Sequence, residues 1–155
     1  MAKLRKHKLL IEQLDKKMEA FRMISPVVVP SEGWIHATRT ALRMSLRQLG
    51  ERLSITPQSM KETELREKEG SITLKNLREA GRALDMVLVY GFVPEKGSLQ
   101  NMIEQKALEI AKEIVMRTSQ SMKLEDQENS KERIDKAIRE RAEEIKNEMP
   151  AYLWD

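Results

Sequence analysis

A short run, Thr56-Pro57-Gln58-Ser59-Met60, followed by Lys61 and Glu62, combines residue types that can read a nucleic acid. Gln can read adenine through N6 and N7, Ser can donate or accept at a base or a phosphate, and Glu can accept from cytosine N4. Thr is a good N-cap, and Pro suits the first helical position, where its missing N–H leaves nothing unsatisfied. A helix is therefore expected to start at Pro57, with Met60 turned to a core and Gln58, Ser59, Lys61 and Glu62 turned outward. Arg47 upstream, and Arg66 and Lys68 downstream, are placed to neutralise phosphates.

Such side chains act only if two short helices joined by a tight turn carry them into the major groove. Ser45-Leu46-Arg47-Gln48 has the S-x-x-Q form of a capping box, which predicts a helix over 45–53. Only Ser54 and Ile55 separate it from Thr56. A helix is expected before this pair, over 32–43, offering Trp34, Ile35, Thr38 and Leu42 to a core. Another is expected after it, capped by Thr73 and turning Leu74, Leu77, Ala80, Ala83 and Leu84 inward.

The run Met44-Ser45-Leu46-Arg47-Gln48-Leu49-Gly50-Glu51-Arg52-Leu53, then Ser54-Ile55-Thr56-Pro57-Gln58-Ser59, with Glu64 and Gly70 following, resembles the Xre/Cro-repressor family of helix-turn-helix proteins over 33–85. More narrowly, Gly33-Trp34-Ile35, Ser45-Leu46-Arg47-Gln48-Leu49, Ile72-Thr73-Leu74, Leu88-Val89-Tyr90 and Val93-Pro94 look like the bacterial group called mobile mystery protein A. Leu14-Asp15-Lys16-Lys17 belongs to the same likeness. The resemblance implies a phage-repressor-like DNA-binding fold and a gene neighbour, mobile mystery protein B, that carries a Fic domain. It departs at Leu46, where many Xre members place a phosphate-contacting Gln, so Arg47 or Gln48 would serve there. Thr63 replaces the usual aliphatic residue and is expected to bond its own helix. The DNA-facing set is then Ser45, Arg47, Gln48, Thr56, Pro57, Gln58, Ser59, Lys61, Glu62, Arg66 and Lys68.

The flanks read differently. Leu4, Leu9, Leu10, Leu14 and Met18 have near-helical spacing among Lys and Glu, and Pro26 and Pro30 bound an extended linker after them. Residues 86–93, Met-Val-Leu-Val-Tyr-Gly-Phe-Val, carry the one strand signal, and Val87, Val89 and Phe92 are the expected dimerisation residues. Beyond Pro94, Ile103, Ala107, Ile110 and Ile114 form one helical stripe and Ile134, Ile138, Ala142, Ile145 and Met149 a second. The two stripes are expected to pair with each other or with another chain. Ser121-Met122-Lys123-Leu124-Glu125-Asp126 comes near the S/T-x-x-x-E-G/N pattern that inhibits Fic proteins, with Asp126 breaking it.

Composition limits the alternatives. The 155 residues contain no cysteine, which excludes disulfides and thiolate metal sites and makes a reducing cytoplasm the simplest location. Neither a signal peptide nor a membrane span is expected. Lys and Arg outnumber Asp and Glu by 7 to 4 before Gly33 and by 11 to 8 from Gly33 to Gly97, and are outnumbered 10 to 13 afterwards. The basic excess thus coincides with the candidate reader. His7 and His36 stand alone, no Gly-rich phosphate loop or nucleophile elbow is present, and no metal, cofactor or catalytic residue is expected.

The expected fold is mainly α: a phage-repressor-like helix-turn-helix bundle with one short β-strand after it and flanking amphipathic helices. The domains are 1–30, helix and linker; 31–97, helix-turn-helix with trailing strand; and 98–155, a helical hairpin. The expected function is a non-enzymatic, sequence-specific regulator acting on double-stranded DNA as a homodimer and repressing its own operon. The alternative is an antitoxin or adaptor that binds a Fic-domain protein.

Overall fold

The computed structural model describes residues 1–122 and 131–155. The likeness to the Fic-inhibiting pattern therefore lies outside the described residues, apart from the helical backbone of Ser121 and Met122. The helices are α1 (Ala2–Arg22), α2 (Trp34–Ala41), α3 (Leu46–Arg52), α4 (Pro57–Glu69), α5 (Leu74–Ala83), α6 (Leu99–Met122) and α7 (Lys131–Glu148), with a short 3-10 helix at Ala151–Trp154. Among the described residues none is long and apolar enough to cross a membrane.

Instead of three successive stretches, the chain divides into two compact units. One is continuous, Pro26–Gly91. The other joins Met1–Ser25 to Phe92–Asp155, so the first helix belongs with the last ones.

In the continuous unit, α2 to α5 enclose Ile35, Leu49, Met60, Ala80 and Leu84, with Met44, Leu46, Leu53, Ile55, Ile72, Leu77 and Ala83 packed around them. Trp34, Leu42 and Leu74, expected inside, are instead about half exposed. α2 is only eight residues long, so the stripe it can bury is narrow, and Arg39 occupies buried space on it.

Each later helix starts as its cap dictates. The Ser45 hydroxyl accepts from Gln48 N–H at 3.1 Å while Gln48 Oε1 accepts from Ser45 N–H at 2.8 Å, a complete capping box. Thr56 Oγ1 accepts from Ser59 N–H at 3.1 Å, and Thr73 Oγ1 from Asn76 N–H at 3.1 Å. Between α3 and α4 the chain turns through Ser54, whose φ of 57° is left-handed.

Gly50 makes that turn possible. A Cβ there would lie 2.8 Å from the Ile55 carbonyl oxygen, and Ile55 N–H donates to Gly50 O at 2.9 Å. Replacing Gly by Ala inside a helix ordinarily adds about 1 kcal/mol of stability. Gly50→Ala is expected to do the reverse and cost about 1–3 kcal/mol by overpacking, read as a lowered Tm. An unchanged or raised Tm would show that the turn yields freely.

The strand expected over residues 86–93 is not formed. Among the described residues this run has no ladder, because an otherwise helical chain provides it no second strand. Met86 N–H donates to Gly81 O at 2.8 Å and ties the start of the run to the end of α5.

In the discontinuous unit, α6 and α7 pair with each other, the first of the two expectations for their stripes. Ile103, Ala107 and Ala111 meet Ile138, Ile145 and Leu153, the last contributed by the 3-10 helix. α1 does not use the leucine stripe read from its spacing, since Leu9, Leu10 and Leu14 are 42–56% exposed. It packs Ile11 on this core and keeps Asp15, Met18 and Phe21 half-buried. That rotation lets Asp15 cap α6, accepting from Leu99 N–H at 2.7 Å and Gln100 N–H at 3.2 Å.

Candidate nucleic-acid interface

The rotation of α4 about its own axis decides what it can offer a partner. Met60 is wholly buried and Glu64 nearly so, and Glu67 is half-buried. These positions, three and four apart, define one inward face. Gln58, Lys61, Glu62, Arg66 and Lys68 consequently lie exposed, as does Pro57 at the tip, with Ser59 half-buried beside them.

Two carboxylates hold that inward face to α2. Glu64 accepts from Arg39 Nε and, at 3.1 Å, from Arg39 Nη2, while His36 Nδ1 lies 2.9 Å from Glu64 Oε2. Arg39 Nη1 also donates to Met44 O at 2.9 Å. Burial pushes the Glu64 carboxyl up, but the hydrogen bonds from Arg39 and then His36 outweigh it and hold the group below its ordinary range. Glu67 accepts from Trp34 N–H and Ile35 N–H, both at 2.8 Å, and so caps α2 from outside. Gly33, with φ 88°, makes room for it, because a Cβ there would lie 2.8 Å from the Glu67 carboxylate carbon.

On the outward face the polar groups are unequally occupied. Thr56 Oγ1 lies 2.9 Å from Ser59 Oγ as well as capping the helix. Thr63 Oγ1 donates to Ser59 O at 2.9 Å, the bond to its own helix that its position implied. The capping box uses Gln48 Oε1, leaving its amide Nε2 to donate elsewhere. Arg47 is 74% exposed and lies 3.8 Å from Glu51. Glu62 stands 3.9 Å from Arg66, which offsets its charge on this face. Lys68 is committed further, donating to both Glu32 oxygens at 2.9 and 3.1 Å. Lys61 has no acidic partner among the described residues. Exposed pairs of this kind are worth about 0–1 kcal/mol, so a phosphate can compete for their cations.

Family models, curated proteins and solved structures were compared, and none matches this chain.

The structure thus brings Gln58, Ser59, Lys61, Glu62 and Arg66 onto one helix, with Thr56 and Pro57 at its tip and Ser45, Arg47 and Gln48 at the start of the preceding one. Val87, Val89 and Phe92, expected at a dimer contact, stand 88%, 64% and 85% exposed. The sequence reading gave no role behind the face to Arg39 and Glu67, quoted Glu64 only for the family resemblance, and left His36 standing alone, whereas it lies against Glu64. A signal for them existed. Glu64 and Glu67 follow Met60 at helical spacing, which puts two acids on an inward face and calls for a buried base opposite.

Proposed function

We propose that the chain is a sequence-specific DNA-binding regulator of the helix-turn-helix type, with α4 as the helix that enters the major groove. The observation that carries this reading is the exposed Gln58 and Lys61, with Ser59 beside them, on the first turns of a helix whose rotation Met60, Glu64 and Glu67 hold. Base-reading groups are useful only when their direction is fixed, and buried contacts on the opposite face fix it. Arg47 and the Gln48 amide, at the start of α3, are the groups for the adjoining phosphates. The resemblance to Xre/Cro repressors and to mobile mystery protein A supports the same assignment, with repression of its own operon as the biological role. No catalytic step is assigned to any residue.

The test begins with selection of a preferred site from random duplex DNA. Gln58→Ala with Ser59→Ala is expected to keep the fold and weaken that site by about 1–3 kcal/mol for each lost base contact, while non-specific affinity stays. Arg47→Ala is expected to weaken all sequences alike and reduce the salt slope by about one. A folded double variant with full site affinity would remove α4 from the groove. A sequence-selective loss in Arg47→Ala would remove that residue from the phosphates.

A further inference from the structure

We propose that the side of α1 turned away from its core is a sequence-independent DNA contact, in which Lys3, Arg5, Lys6, Lys16 and Lys17 grip backbone phosphates. The inference rests on the reading of the chain as a DNA-binding protein, but it concerns α1 alone and does not need α4 to read bases.

α1 turns Ile11, Asp15, Met18 and Phe21 toward its own unit and leaves the rest of the helix exposed. At about 3.6 residues per turn, the side opposite Ile11 and Met18 is a sector roughly 160° wide that holds all five of these cations and no acid. Glu12 and Glu19 both fall on one shoulder of the helix, outside it. None of the five has an ion pair or a hydrogen bond among the described residues, whereas Lys8, on the other side, donates to Asn147 Oδ1 at 3.1 Å. In the same unit Lys106, Lys136, Arg141 and Lys146 each stand beside a glutamate one turn away. Lys3 and Lys6, also one turn apart, repel each other instead, which by itself weakens a helix. An anion from outside the chain relieves that repulsion.

Phosphates fit this pattern better than the other surfaces that attract cations. Helices that lie on membranes insert a continuous apolar face. Here Leu9 and Leu10, 53% and 56% exposed, are separated around the helix by Gln13, Lys6 and Lys17. The centres of protein interfaces are poor in Lys, and four of the five cations are lysines. A duplex presents a charge about every 1.7 Å of its axis and releases counterions for each phosphate that Lys or Arg neutralises. Along α1 the cations form two clusters, Lys3 to Lys6 and Lys16 to Lys17, with centres about 18 Å apart at ~1.5 Å per residue. Each cluster therefore meets phosphates of its own, and their effects are expected to add.

The full-length protein is titrated with a duplex of random sequence and with one carrying a selected site, over a range of salt. Replacing all five cations by Gln, a good helix former, is expected to leave helical circular dichroism unchanged. Affinity for both duplexes is expected to fall by the same factor, about tenfold or more near ~0.1 M salt, and the slope of log K against log salt to drop by about 4. Leu9→Gln with Leu10→Gln, which keeps the charges, is expected to bind DNA as the wild type does. If the five-residue variant fails to fold, Lys3, Arg5 and Lys6 are replaced in one protein and Lys16 and Lys17 in another, with slope losses of about 3 and 2. An unchanged slope in the folded variants overturns the proposal, as does an equal loss in the leucine variant. Cosedimentation of the wild type with phosphatidylglycerol vesicles, abolished by the five replacements while DNA affinity is kept, assigns the face to lipid and overturns it too. The random duplex separates this reading from that of α4. Slope loss in the five-residue variant of a protein that has no preferred site supports α1 on the phosphates and removes α4 from the groove. Site preference with an unchanged slope does the opposite.

Discussion

Glu64→Gln is expected to cost about 3–5 kcal/mol, enough to bring a domain of ordinary stability close to unfolding. The substitution preserves shape but removes the charge that compensates Arg39, which is only 8% exposed and would remain buried without its counter-ion. Replacing both partners by apolar residues of similar volume, Arg39→Met with Glu64→Leu, is expected to recover most of that loss, since no uncompensated charge remains. Urea unfolding of the three proteins measures this directly, and a Glu64→Gln midpoint equal to wild type would show the ion pair to be energetically idle. The same carboxylate predicts a pH dependence. Its folded pKa is held below the ordinary carboxylate value, so its stabilisation is fully present above the unfolded pKa. It is lost as pH falls from there through the lowered folded value. Glu64→Gln is expected to remove this part of the acid destabilisation.

Met60→Ala is expected to cost about 2–5 kcal/mol, the range for truncating a fully buried methionine. Met60 is 0% exposed and sits in the core formed with Ile35, Leu49, Ala80 and Leu84. It is also one of three contacts that set the rotation of α4, so its loss acts on the exposed face as well as on the core. Specific DNA affinity is therefore expected to fall in Met60→Ala even at temperatures where the protein remains folded. Met60→Leu, which keeps the volume, is expected to stay within about 1.5 kcal/mol and retain binding. Equal binding by the alanine and leucine variants would show that Met60 does not orient the helix.

Local chemistry was the part of the fold that the sequence stated openly. The capping box at Ser45, the Thr56-Pro57 start and the Thr73 cap each rest on bonds spanning three residues, and all three are formed. The inward turn of Met60 and the back-bond of Thr63 follow from helical periodicity alone. Less legible were features that depend on what a residue meets far along the chain. The stripe of Leu9, Leu10 and Leu14 is as regular as the face that α1 buries, but Asp15 has a helix start to cap and the leucines do not. Trp34, Leu42 and Leu74 are apolar yet half exposed for a similar reason, since a four-helix core this small fills before every apolar side chain on its helices can enter it. The apolar run 86–93 has the propensity of a strand and no strand beside it. A ladder needs two members, and propensity describes one.

The division of the chain bears on the order in which it is made. Asp15 and Leu99 are 84 positions apart, so a ribosome adding about 5–20 residues per second leaves α1 waiting roughly 4–17 s for the helix it caps. In that interval residues 26–91, whose core lies wholly among themselves, have already emerged and can fold. A helix made well before α6 is thus among the last to find its place, with Ile11, Met18 and Phe21 uncovered meanwhile. The long-range closure that completes its unit is the step that contact order makes slow. Until α6 is made, the side chains that α1 buries have no core to enter, although in the finished protein that helix holds down the start of α6.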